Sequence, residues 1–160
     1  MAIKSNAGTQ IFVGTATFPN NTYNGLLASD YTTDTFTAIG NVADIGNFGD
    51  TVQTIEANSI GDARVRKLQG MRDAGTLELT VNHDPADAGQ TACRAASKSS
   101  LMRNFKIILD DKATEEGTGT TLYFRAITLG NQMKTGGPND VVQQIFQLGI
   151  NTDVLEVAAS

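Results

Sequence analysis

The residues able to do chemistry in this chain are few. His83 is the lone histidine among 160 residues, which removes any two-histidine metal site and most nucleophile–base–acid triads. Its neighbour Asp84 has a simpler use as a helix N-cap, because it precedes Pro85 and a run of helix-compatible residues. Cys93 is the lone cysteine; set among alanines, it reads as a small buried thiol rather than a nucleophile. The acid pairs Asp110–Asp111 and Glu115–Glu116 could offer oxygens to a hard cation. Adjacent strand residues face opposite ways, however, and the EF-hand spacing is missing, so a solvated turn is the better reading. The glycine-rich stretches "EEGTGTT" and "TGGPND" lack the lysine and following helix of a phosphate cradle. "NNT" at Asn20 matches a glycosylation acceptor, but the opening "MAIKSNAGTQ" lacks the apolar stretch of a secretory signal. These residues predict no catalytic, cofactor-binding or metal-binding site, and the chain reads as a non-enzyme.

Charge is placed less evenly. The chain carries a net charge of -5 and a pI near 4.7, yet four of its 12 Lys and Arg fall in "ARVRKLQGMRDAG", at Arg64, Arg66, Lys67 and Arg72. The acidic total argues against tight binding to a nucleic-acid backbone. Two readings of the basic segment stand side by side. It is a solvated loop that keeps the protein soluble, or an arm that docks on an acidic surface of another copy, for which Asp30, Asp34, Asp44, Asp50 and Glu56 are available. Unlike patches on one polypeptide join head to tail, and such contacts make rings or filaments.

The elements that must hold these residues follow from periodicity. Composition is that of an ordinary globule, 40% hydrophobic and 18% charged, and the length fits one domain, residues 1–160. No run reaches the roughly 18 apolar residues of a membrane span, and a single cysteine fits a chain made in a reducing compartment. Residues 1–35 read as an N-terminal arm with little core of its own. Strands follow in "FTAIGNVADIG" and "DTVQTIEAN", then a long basic connector over 58–74. "GTLELTVNHD" is the cleanest strand, with Leu77, Leu79 and Val81 on one face and Thr76, Glu78 and Thr80 on the other. A helix is expected over 84–100, capped by Asp84, with Ala88, Ala92, Ala95 and Ala96 inward. Three further strands end in a hairpin through "GGPND", and 151–160 forms an edge strand or a loose tail. The order predicts an α+β domain, mostly antiparallel β, with one helix and a long inter-strand loop.

The wording of the sequence is then specific. "IFVGTA", "FTAIGNVADIGNFGDTVQTI", "RVRKLQGMRDAGTLELTV" and "DPADAGQTACRAA", in this order and spacing, resemble the tail tube (major tail) proteins of long-tailed, non-contractile bacteriophages. The resemblance covers nearly the whole chain and is most specific from Phe36 to Ala96. It implies a β-sandwich or barrel-like tail tube fold with one flanking helix, in a structural virion protein whose hexameric rings stack into a hollow tube for DNA ejection. The basic connector (Arg64, Arg66, Lys67, Arg72) would reach the adjacent ring. Implied partners are copies of the chain, a tape-measure protein, a tail terminator, distal tail proteins and DNA as passing cargo, with no membrane. The implied location is the virion tail, assembled in the host cytoplasm. An acidic bore would repel DNA, which carries about one negative charge per 1.7 Å of axis, where a basic one would trap it, and Glu78, Thr76 and Thr80 are the expected lumen face. The alternatives are a tube protein of a phage-like particle or secretion system, and a monomeric ligand-binding β-module.

Overall fold

The computed structural model describes residues 3–19 and 26–160. Ten strands and two helices follow in the order β1 (Gln10–Phe18), α1 (Ala28–Thr32), β2 (Phe36–Ala38), β3 (Val42–Asp44), β4 (Thr51–Ala57), β5 (Arg66–Asp73), β6 (Thr76–Asn82), α2 (Ala88–Ser97), β7 (Met102–Ile108), β8 (Thr121–Lys134), β9 (Gln143–Ile150) and β10 (Leu155–Val157). The glycosylation-like Asn20 lies outside the described residues. The α+β, mostly antiparallel expectation holds.

The main sheet runs β2-β1-β7-β8-β9-β6-β3, with β10 pairing β8, and all pairs are antiparallel. Its end strands β2 and β3 are neighbours in sequence, which forces the sheet to curl. The link between them spans the seam: Ile39 N donates to Ile11 O at 2.9 Å, and two residues later Asn41 O accepts from Asn82 N at 2.8 Å. Asn41 makes this crossing with φ 57°, a left-handed conformation that asparagine tolerates better than most residues. The result is barrel-like. Alternate residues of β6 (Leu77, Leu79, Val81) point inward and are fully buried, beside Ile11, Val13, Phe105, Ile107, Phe124, Phe146 and Leu148. Phe105 and Phe124 stack at 5.6 Å. Burying each such side chain stabilises the fold by about 1.5–3 kcal/mol relative to leaving it in water.

Several sequence expectations are corrected here. The N-terminal arm is not without core: β1 pairs with both β2 and β7, and Ile11 and Val13 are buried at its centre. Its apolar run is short, but it fills a place in a sheet whose other members lie far along the chain. Helix α2 starts later than expected, because Asp87 and not Asp84 is the N-cap, accepting from Gln90 N at 2.8 Å. Asp84 instead closes the preceding turn, accepting from Ala86 N at 2.9 Å. The shifted start turns the helix, so Gly89, Gln90, Cys93 and Ala96 face inward, while Ala88 and Ala95 are exposed. A second helix, α1, is short and sits on the outer face of the sheet, where Tyr31 stacks on Tyr123 at 5.3 Å. The C-terminal segment pairs through β10, with Leu155 opposite Tyr123.

The basic connector over 58–74 is only partly a loop. Residues 66–73 form β5, which pairs with β4 as a separate two-stranded ribbon. Sequence periodicity missed this strand because neither face of the ribbon is buried within the chain, so no single face had to be apolar throughout.

Candidate assembly interface

The four expected docking cations all lie on the ribbon and all are exposed. Arg64 stands in the connection before β5. Arg66 opens β5 opposite Ala57, Lys67 lies opposite Glu56, and Arg72 opposite Val52. Arg66 is already engaged within its own ribbon, 3.0 Å from Asp62. Every residue of β4 is exposed, and in β5 only Gly70 is partly covered. The ribbon also exposes large apolar side chains, Ile55 at 51%, Leu68 at 58% and Met71 at 78%, a feature that the sequence reading did not single out.

The expected lumen residues share one outward face of the sheet. Thr76 lies opposite Gly149, Glu78 opposite Gln147 and Thr80 opposite Ile145. Gln147 Nε2 donates to Glu78 Oε1 at 3.5 Å. In the next strand Ile127, Gly130 and Gln132 continue these three rows, and Lys134 continues the row of Asn82 and Gln143. The face therefore carries amides and hydroxyls, with one carboxylate and one ammonium, and the half-buried Ile127 and Ile145 lie among them.

This sheet region also has open edges. Strand β8 pairs with β7 over residues 121–126 and with β9 over 126–134. On the β7 side, residues 127–134 have no strand beside them among the described residues. On the far side of the same three-stranded region, β6 meets β3 only at Thr80 and Val81. An unpaired strand edge is a row of donors and acceptors ready to join another strand.

The remaining chemistry-bearing residues are held by internal contacts. His83 Nδ1 lies 3.3 Å from Gln144 Oε1, which also accepts from Arg94 at 3.0 Å. Burial pushes the Cys93 thiol up to about 12, the direction opposite to nucleophile activation. The Asp111 carboxylate accepts from the Thr120 hydroxyl and amide, both at 2.6 Å, and these bonds hold its pKa below the usual range. Among the described residues no group of three or more His, Cys, Asp or Glu could hold a metal ion.

Sequence reasoning also missed two polar clusters. Gln90 is buried at the seam, its Nε2 donating to Gly40 O and Asn82 O at 3.0 Å each, its Oε1 accepting from Asp84 N at 2.9 Å. Arg125 is buried with its guanidinium 3.6 Å from the Phe18 ring centre and its Nε donating to Asn104 at 2.9 Å. Asn104 passes the chain on to Asp34, which also receives the Ala16 and Thr35 amides.

Neither a protein-family profile nor any curated protein matches the sequence. Solved structures do match, over nearly its full length. A chain of the sheath/tube terminator of the extracellular contractile injection system PVC, in its extended state, aligns with TM-score 0.69 and 14% identity, covering 99% of each chain. A chain of the anti-feeding prophage baseplate aligns with TM-score 0.65 and 15% identity, covering 99% of this chain and 98% of that one. The SPP1 tail tube gives TM-score 0.58 and 15% identity over 94% of this chain and 76% of its own. At such identities the likeness is one of fold. The protein has a tail-tube-like fold, shared by components of a phage tail and of phage-like injection systems.

Proposed function

We propose that this chain is a structural, non-enzymatic tube subunit. Copies join edge to edge into hexameric rings, and rings stack into a hollow tail tube through which DNA leaves the virion. The observation that carries the reading is the fold likeness, which spans 99% of the chain in two of the assemblies compared. The open edge of β8 and the largely open edge of β6 supply places where neighbouring copies add strands to one another. Glu78, Thr76 and Thr80 face the bore in this arrangement, and Arg64, Arg66, Lys67 and Arg72 draw the ribbon toward the next ring. A tape-measure protein, a terminator and distal tail proteins complete the tail, which is built in the host cytoplasm. A specific observation favours a second reading, a tube of a phage-like injection particle with other cargo: the chains from contractile systems align more completely than the SPP1 tail tube.

Concentrating the purified protein tests the tube reading. Light scattering that grows with concentration, and hollow tubes in negative stain, are expected. Replacing Arg64, Arg66 and Lys67 by Glu sets like charges against an acidic body, and this variant is expected to stay folded without stacking. A protein that stays monomeric at every concentration is instead the ligand-binding β-module.

A further inference from the structure

We infer that the β4–β5 ribbon holds another copy of this chain by its apolar face, on Ile55 and Leu68 with Met71 at their side, and that its cations only steer the approach. The inference rests on the tube reading and specifies its contact. The register fixes the two faces of the ribbon. Ile55 stands directly opposite Leu68. A Cβ on Gly70 would meet Ile55 Cγ1 at 3.2 Å, so the Ile55 side chain lies over that glycine. Met71 sits where the pairing slips, between the Val52–Arg72 and Thr54–Gln69 pairs. The opposite face carries Glu56 against Lys67, Thr54 against Gln69 and Val52 against Arg72. The Ile55 face also carries Arg66 against Ala57 and Asp73 against Thr51, so its apolar part is the central patch of Ile55, Leu68 and Met71. Among the described residues β4 and β5 pair only with each other, and no strand covers that patch. Leu77 and Leu79 in the next strand are fully buried, whereas Leu68 is 58% exposed. An isolated two-stranded ribbon is marginal in water, and packing its apolar side is the general remedy.

Charge identifies the occupant. Residues 51–73 hold Arg64, Arg66, Lys67 and Arg72 against Glu56, Asp62 and Asp73, a net of +1; since the whole chain is -5, the remainder is -6. The ribbon thus meets attraction on the body of a second copy, and unlike surfaces of this kind join in open, head-to-tail order. Nucleic acid is a poor alternative, because so small a positive excess gains little from phosphate and the apolar side chains gain nothing. Long-range charge chiefly sets the rate of encounter, while buried apolar anchors set how long the contact lasts.

The test compares two variants of the full chain with wild type, at low and high salt, by light scattering and negative stain. Ile55→Thr with Leu68→Thr keeps strand-forming side chains but removes the apolar anchor; association is expected to weaken by about a hundredfold or more. Arg64→Gln, Arg66→Gln and Lys67→Gln together are expected to slow assembly at low salt yet reach the wild-type end point. Melting curves matching wild type confirm an intact barrel. As a second measurement that needs no loss of folding, a photoreactive side chain at position 68 is expected to cross-link copies of the chain into ladders. Wild-type assembly by the threonine variant, loss of assembly in the glutamine variant alone, or cross-links to DNA instead of protein would each overturn the inference. If wild type itself never assembles, the tube reading falls first and takes this contact with it.

Discussion

Cys93 measures how deeply α2 is set into the barrel. Its thiol is fully buried, and burial raises its pKa from 9.0 to about 12. The folded chain therefore holds that proton more tightly than the unfolded one. The resulting stabilisation is complete below about pH 9 and is lost as pH climbs toward about 12. Denaturant titrations should show wild type losing about 1.4 kcal/mol per pH unit more than Cys93→Ala across that window; equal slopes would place the thiol in water. At this scale the sequence was a fair guide where pattern speaks. The alternation of Leu77, Leu79 and Val81 reads directly as a buried face, and Cys93 among alanines reads as an inert thiol. Gln90 and Arg125 were illegible for a physical reason. A buried amide or guanidinium is stabilised by backbone and side-chain partners brought from distant segments, and nothing in the local sequence records them.

Among the elements, α2 packs with its first turn against the backbone that follows β2. A Cβ added at Gly89 would lie 2.6 Å from Ile39 Cα, on backbone that cannot yield like a side chain. Gly→Ala within a helix ordinarily stabilises by about 1 kcal/mol. Here the sign should reverse: Gly89→Ala is expected to destabilise by about 1–3 kcal/mol, seen as a lower Tm, while Ala88→Ser on the exposed side should leave Tm within a degree or so, on the order of a surface change. The helix itself was legible, as an alanine-rich run behind a capping aspartate. Its phase was not, because Asp84 and Asp87 are both competent caps and only the tertiary bond from Gly40 N to Asp87 Oδ2, 3.2 Å long, decides between them. The ribbon was harder still, since a strand with water on both faces shows no period to read.

For the whole molecule, the polar outer face of β6, β8 and β9 sets how a tube would treat its cargo. Glu78 is exposed on it, with glutamines and threonines around it and Lys134 at its far end. Repeated around a ring, Glu78→Lys would turn a circle of carboxylates into a circle of ammonium groups, and DNA bound by released counterions would linger. Tubes of this variant are expected to form normally but to retain DNA at low salt and release it as salt rises, measurable by co-sedimentation. Equal DNA recovery from both tubes would remove Glu78 from the bore. The α+β class was legible because strand and helix order constrain architecture; the barrel-like closure was implied only by the resemblance. Which edges stay open was not, because that depends on β7 ending alongside the middle of β8, a fact of register between segments far apart.

The overhang at residues 127–134 also governs how a solitary molecule survives before it meets its own kind. A bare row of amides and carbonyls is an invitation to any stray peptide, and clumping is the usual outcome. Here the ledge is broken by an irregular step between Thr128 and Gly130 and ends on Lys134. Leu129 and Met133 are exposed along it, so the step and the closing charge, rather than polarity throughout, are what discourage greasy strangers. In the proposed tube a neighbouring copy has to match this step, which a stray strand would not, so the trait that would permit growth would also guard the stock from spoiling.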